Sequence, residues 1–360
     1  MIPLFLAVLL AIALVIQYRL AGSSLQHLVY QNELDQELAE PDQILTLTST
    51  LHNVGRVPIF YVNLMESFPE KAKIEEDEDW SRTHLRGSIS GPCCVSQLYL
   101  LPHRLHTRQI RFSLPERGSY SFGKYYAAAG DFLGFNTRYR SGEIGRKTVV
   151  MPRRWENPQA AMILGGYLGD ISVRRFLFED PVLTIGVRDY TGAEPMKQIS
   201  WKHSARAGTL QVKNYDYTVD ADVTVLLNLD GGTPDDRECC FRITRTVCEI
   251  LERRHISYAF YGNGDLRTPQ GELGWFTEGL GSLHFRTLMY ALGQSSGRAL
   301  FSFDEMIARC LEKRRRTRGY IVISPPLQAK DREALRTLRR ICETEPCLLI
   351  GEAQGEEDAL

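Results

Sequence analysis

The chain has 360 residues, 43% hydrophobic and 24% charged, with a formal net charge of −1. This composition supports a sizeable core and about two or three domains. It excludes a low-complexity or disordered chain and provides no net field to gather nucleic acid or an anionic membrane.

The first element in chain order is an uncharged apolar run, Ile2 to Ile16. Extended through Leu20, it predicts a slightly short or tilted membrane-spanning helix. No basic residue precedes it, which disfavours a cleaved signal peptide, although Leu20-Ala21-Gly22-Ser23 resembles a weak cleavage site. Arg19 follows the run, so the positive-inside rule places the bulk of the chain in the cytoplasm. The eight cysteines point the same way. None has C-x-x-C spacing, and Cys240, Cys248, Cys310, Cys342 and Cys347 sit among apolar residues, as reduced thiols do. The localisation expected is single-pass membrane.

From residue 25 to 155 the pattern has period two. Ile44–Leu51 and Pro58–Met65 alternate as half-buried strands, and Val95–Leu101, Arg108–Leu114, Ser119–Ala127 and Lys147–Met151 continue the series. Short strands with regular turns predict a β-sandwich-like domain. The acidic stretch 70–79 reads as a solvated loop. His103 and His106 lie between strand patterns beside Pro102 without a third ligand nearby, so no metal site is expected of them.

Residues 221 to 351 alternate strand and helix instead. Val223–Asp230 is a nearly continuous apolar strand. Gly231-Gly232 turns the chain, Thr233 is a natural N-cap, Pro234 suits the first helical position, and Asp235 and Asp236 favour the positive helix end. Strands at 256–261, 320–324 and 347–350 and helices at 283–292, 303–315 and 330–342 predict a doubly wound parallel sheet. Functional residues in such sheets lie beyond the strand carboxyl ends, where Asp230 and Ser324 fall. Gly262-Asn-Gly264 and Gly279-Leu-Gly281 extend to no nucleotide-binding motif, and no nucleophile elbow occurs. The basic run Arg314–Arg318 lies at a predicted helix end, where cations are favourable, and lacks the interleaved aromatics of a nucleic-acid site.

Between these regions, 160–220 carries the most specific segment. It contains Arg188, Tyr190, Gly192, Pro195, Ile199, Trp201, Lys202, Ser204, Ala205, Arg206 and Leu210 in order. Three physical readings fit this mixture of guanidinium and indole. It is a structural lock, with Asp189 and Glu194 pairing the arginines and Trp201 in the core; a partner interface, since Trp, Tyr and Arg dominate hot spots; or a small anion site. The segment resembles the hallmark of the domain of unknown function 58 family. Arg117–Tyr120, Gly123 and Asp131–Phe135 resemble that family's turn pattern as well.

The resemblance implies a multidomain α+β protein: a transmembrane anchor (1–20), the β-rich domain (25–155), the hallmark segment (160–220) and a von Willebrand factor A-like α/β domain (221–351). It implies a non-enzymatic, membrane-anchored scaffold or adaptor. Its partner would be a protein, such as a MoxR-type AAA+ ATPase, held through Arg188, Tyr190, Trp201, Lys202, Ser204 and Arg206. Domains of the A type often bind Mg²⁺ through D-x-S-x-S. Here Asp230-Gly-Gly-Thr-Pro234 has lost both serines, so Asp230, Thr233 and Ser324 are expected to form a degenerate site without a tight metal or other cofactor. The competing expectation is an extracytoplasmic adhesion or cell-envelope binding module.

Overall fold

A computed structural model describes residues 25–75, 83–88, 91–130, 137–157, 162–169, 184–191, 196, 199–215, 223–268, 273–312, 319–342 and 345–352. The chain divides into two compact units, one running to Arg153 and taking in Leu292–Gln294, the other holding the remainder.

The first unit is built of β1 (Leu28–Leu34), β2 (Leu38–Ala39), β3 (Leu45–Asn53), β4 (Ile59–Ser67), β5 (Lys73–Ile74), β6 (Thr83–Ser88), β7 (Gly91–Leu100), β8 (Leu105–Ser113), β9 (Gly118–Ser121), β10 (Lys124–Gly130), β11 (Thr137–Glu143) and β12 (Lys147–Val150). They form a four-stranded sheet, β1-β3-β8-β5, a five-stranded sheet, β11-β10-β4-β7-β6, and a small sheet, β2-β12-β9. Alternation in the sequence decides which face is buried. Along β3 every second residue, from Leu45 to Asn53, is buried while its neighbours are half-exposed. Leu45, Leu47, Ile110 and Phe112 of the first sheet meet Phe68, Phe122 and Cys94, and Leu28 and Leu51 meet Val62, Leu64, Ala127 and Ala129 of the second. Phe68, Phe112 and Phe122 pack edge-to-face at 5.4–5.5 Å, the geometry their ring quadrupoles favour.

One polar cluster lies within this sandwich. Glu66 is fully buried and takes hydrogen bonds from Tyr30 Oη at 2.6 Å and from Ser49 Oγ, with the Arg108 guanidinium as its ion partner. Burial, then the charge of Glu66, pushes the Tyr30 phenol well above its ordinary range.

The second unit holds the hairpin β13 (Thr184–Asp189) and β14 (Gln211–Tyr215), with α1 (Trp201–Ala207) between them. It then continues through β15 (Val223–Leu227), α2 (Pro234–Arg253), β16 (Tyr258–Gly262), β17 (Trp275–Gly279), α3 (Ser282–Gln294, shared with the first unit), α4 (Phe303–Glu312), β18 (Gly319–Ser324), α5 (Ala329–Ile341) and β19 (Cys347–Ile350). The sheet order is β17-β16-β15-β18-β19. The central strands β15, β16 and β18 are buried at every residue. Thr233 caps α2 in a reciprocal capping box with Asp236, and Pro234 begins the helix.

The expected fold class and localisation need correction. Among the described residues no helix is long and apolar enough to cross a membrane, so none of them carries the single-pass anchor expected. The run Ile2–Ile16, on which the anchor rested, lies outside the described residues. Among the described residues strand outweighs helix, and the last sheet is mixed. β17 returns antiparallel to β16: a parallel return needs a crossover of a dozen or more residues, usually a helix, and among the described residues between the two strands there is no helix. The doubly wound parallel sheet of a von Willebrand factor A-like domain is therefore not retained. The sequence does not mark this strand, because β17 carries half-exposed and exposed residues around one buried Phe276 and lacks the apolar run of its neighbours.

Candidate functional site

The hallmark residues are held by a backbone lock. Ser200 N–H donates to Gln211 O at 2.7 Å, and Tyr190 N–H donates to Leu210 O at 2.9 Å. Ser204 is the hinge pin of this lock: its hydroxyl donates to Ser200 O at 2.9 Å and accepts from Gln211 N–H at 2.8 Å. Buried Ile199 bridges to buried Val212. The short helix then ends at Gly208, whose φ of 71° lets its N–H return to Ser204 O.

What the lock presents is an exposed helix. None of the α1 residues is buried, and Trp201 is 60% exposed. Lys202 and Arg206 are exposed and one helical turn apart, so they share a stripe, and Trp201 and Ala205 form the next stripe, about 100° round the helix. Val187, Met196 and Leu210 add exposed apolar surface from the same segment. Arg188 is exposed on β13 opposite Val212, and Tyr190 is half-buried. The Asp189 carboxylate accepts from Gln211 Nε2. Gly192, Glu194 and Pro195 lie outside the described residues. The segment thus divides its labour, with Ser204, Ile199 and Gln211 fixing the hairpin while Trp201, Lys202 and Arg206 face water.

In the second group, Asp230 and Thr233 lie in the loop after β15, and Ser324 is the last residue of β18. Each member is committed elsewhere. Asp230 Oδ2 accepts from Lys330 Nζ at 2.9 Å, and this hydrogen bond, then the carboxylate's charge, holds the ammonium above its ordinary pKa. Thr233 Oγ1 donates to Asp236 Oδ2 at 2.8 Å and accepts from Asp236 N–H at 3.2 Å. Ser324 Oγ is buried, donates to Pro325 O at 2.9 Å, and accepts from Asn228 Nδ2 at 2.9 Å. A lysine ammonium standing at the carboxylate and a hydroxyl already donating and accepting do not fit a divalent cation, which needs free oxygen donors. Among the described residues no group of three or more His, Cys, Asp or Glu could hold a metal ion.

Two residues singled out by no motif organise this end of the sheet. Asn228 and Asn263 are fully buried. Asn263 Nδ2 donates to Asn228 Oδ1 at 2.8 Å, Asn263 Oδ1 accepts from Leu229 N–H at 2.7 Å, and Asn228 Oδ1 also accepts from Asp230 N–H at 2.9 Å. The signal available was an amide inside the apolar strand Val223–Asp230, since a buried polar group requires partners. Gly232 is needed beside them: its φ is 62°, and a Cβ there would lie 2.6 Å from Pro325 Cβ.

No family description matches this chain, and no curated protein does. Solved structures do match portions of it. The CARDB domain of a Pyrococcus furiosus protein, solved with di-metal ions, is 9% identical, with 34% of this chain and 86% of that one covered at a TM-score of 0.23. A type II cohesin domain from the cellulosome of Acetivibrio cellulolyticus is 11% identical, with 34% and 94% covered at 0.25. The sporulation control protein Spo0M of Bacillus subtilis is 12% identical, with 46% and 58% covered at 0.20. Similarity at these scores carries no argument about this chain's function.

Proposed function

We propose that this chain is a non-enzymatic adaptor that docks a protein partner on the exposed face of α1. The observation that carries the reading is Trp201, a large indole left 60% exposed on a helix that the Ser204 lock holds in place. A rigid, water-facing Trp flanked by Lys202 and Arg206 has the composition of an interface hot spot. It suits a partner surface offering an apolar pocket rimmed with carboxylates. The hallmark resemblance supports a MoxR-type AAA+ ATPase as that partner. The non-enzymatic part of the reading is supported by the strand-end hydroxyls and carboxylates, which are engaged with one another and with Lys330.

The test is retention of a purified MoxR-type ATPase on the immobilised full-length chain. Trp201→Ala plus Arg206→Ala is expected to weaken retention by at least about a hundredfold, the scale of losing two hot-spot side chains, with the melting curve unchanged. Equal retention by wild type and variant would sink the proposed interface, and no retention by either would sink the choice of partner.

A further inference from the structure

A second surface, in the first unit, is independent of α1. One face of the sheet β11-β10-β4-β7-β6 packs into the core through Val62, Leu64, Ala127 and Ala129. The alternate residues form the other face, and four of them are tyrosines. Tyr61, Tyr99, Tyr126 and Tyr139 are 40%, 60%, 44% and 81% exposed.

Their neighbours follow from the strand register. One row runs Tyr139, Ala128, Asn63, Gln97; the next runs Ser141, Tyr126, Met65, Val95; and Gly130 stands between Thr137 and Tyr61. Tyr139, Tyr126 and Tyr61 thus each stand beside a small residue, leaving troughs between the rings. These rows contain amides and hydroxyls but no charge, and Lys124 opposite Glu143 closes one end. Tyr126 also forms a wall of a cavity of about 510 Å³, lined further by Ser67, Glu70, Ser119, Ser121 and Lys124. Ser119 and Ser121 alternate on β9 and are both exposed. The cavity's size lies in the range of small-molecule sites, about 300–1,000 Å³, and it is continuous with the tyrosine face through Tyr126.

The ligand that matches is neutral, has flat apolar faces, and carries a rim of hydroxyls that both donate and accept. A pyranose ring has these properties. Its C–H faces stack on phenol rings, and its hydroxyls pair with Asn, Gln and Ser side chains. A nucleic acid would require a series of cations along the surface, whereas beside these rows Lys124 stands opposite Glu143; a protein hot spot would favour Trp and Arg at its centre, and these rows contain neither. We propose that the tyrosine face binds a neutral glycan chain, stacked across Tyr126 and Tyr139, with one sugar seated in the serine-lined cavity.

The experiment is native affinity electrophoresis of the full chain through gels containing soluble starch, xylan, mannan or laminarin. At least one polysaccharide is expected to retard the wild type, and Tyr126→Ala plus Tyr139→Ala to weaken that retardation by about tenfold or more. Circular dichroism melts establish that the double variant is folded. Tyr139→Ala alone changes the most exposed ring and serves if the double variant unfolds, with about a threefold loss expected. No retardation by any of the four, or retardation unchanged by these substitutions, overturns the proposal. Self-association of the wild type abolished by the same substitutions, without retardation, also overturns it and identifies a second copy of the chain as the occupant.

Discussion

Each unit buries a polar cluster, and the two are built on opposite electrostatic principles. In the sandwich, Glu66 and Arg108 place a carboxylate and a guanidinium inside the protein, with Tyr30 and Ser49 completing the carboxylate's hydrogen bonds. Beneath the strand ends of the second unit, Asn228, Asn263 and Ser324 form a network of neutral amides and a hydroxyl. A charged cluster holds together only while both charges are present, because removing one strands the other in a low-dielectric interior. A neutral network loses only the hydrogen bonds that are cut. The comparison also bears on the quality of the fit. Among the described residues, Arg108 Nε and Nη1 are buried without hydrogen-bond partners, whereas both polar side-chain atoms of Asn228 and of Asn263 are engaged.

The largest expected effect breaks the charged cluster. Arg108→Ala should cost about 3–5 kcal/mol in urea unfolding by leaving Glu66 buried and unpaired. Replacing both charges, with Glu66→Leu and Arg108→Met, should recover most of that loss, since a packed apolar pair avoids the desolvation cost. If the double variant is no more stable than Arg108→Ala, the cluster is held by something other than charge pairing.

A smaller effect is expected from the neutral network. Asn263→Ala leaves the Leu229 N–H and one bond of Asn228 Oδ1 unmet, which should cost about 1–3 kcal/mol. A loss as large as that of Arg108→Ala would erase the distinction between the two clusters.

The smallest effect sharpens the comparison through pH. His284 meets Tyr258 edge-to-face with ring centroids 4.8 Å apart, and its Nε2 is buried without a partner. Burial holds its pKa below the ordinary 6.5, against the opposing charge of Glu252. The unfolded chain therefore takes up this proton first as pH falls. Stability from the neutral ring is full above about pH 6.5 and declines below it towards the folded pKa. The melting temperature of the wild type should fall between pH 7.5 and 5.5, and His284→Phe should flatten that slope. Identical slopes would remove His284 as its cause.

How much of this was legible in the sequence depends on the distance over which each feature is decided. The charged cluster was readable in principle. Glu66 shares the inward parity of Val62 and Leu64, and Arg108 that of Ile110 and Phe112, so a period-two reading puts both charges into the core, where they need each other. The cap of α2 was readable too, because Thr233, Pro234 and Asp236 act within one helical turn. The edge strand β17 was not, since its direction is set by its pairing with β16 and its residues do not repeat cleanly. The segment 160–220 stands out by residue order, but what its side chains do does not: that the Ser204 hydroxyl ties α1 to β14 is visible only in the fold.

By itself, the sequence determined the local elements: alternation marked the strands of the sandwich, and composition and turn chemistry marked the capped helix, because these depend on neighbours a few residues apart. Only the tertiary structure decided that Lys330 reaches Asp230, a hundred positions away, that Asn263 meets Asn228, and that four tyrosines from β4, β7, β10 and β11 share one face of their sheet. Those pairings are fixed by strand register and burial, which no local pattern encodes.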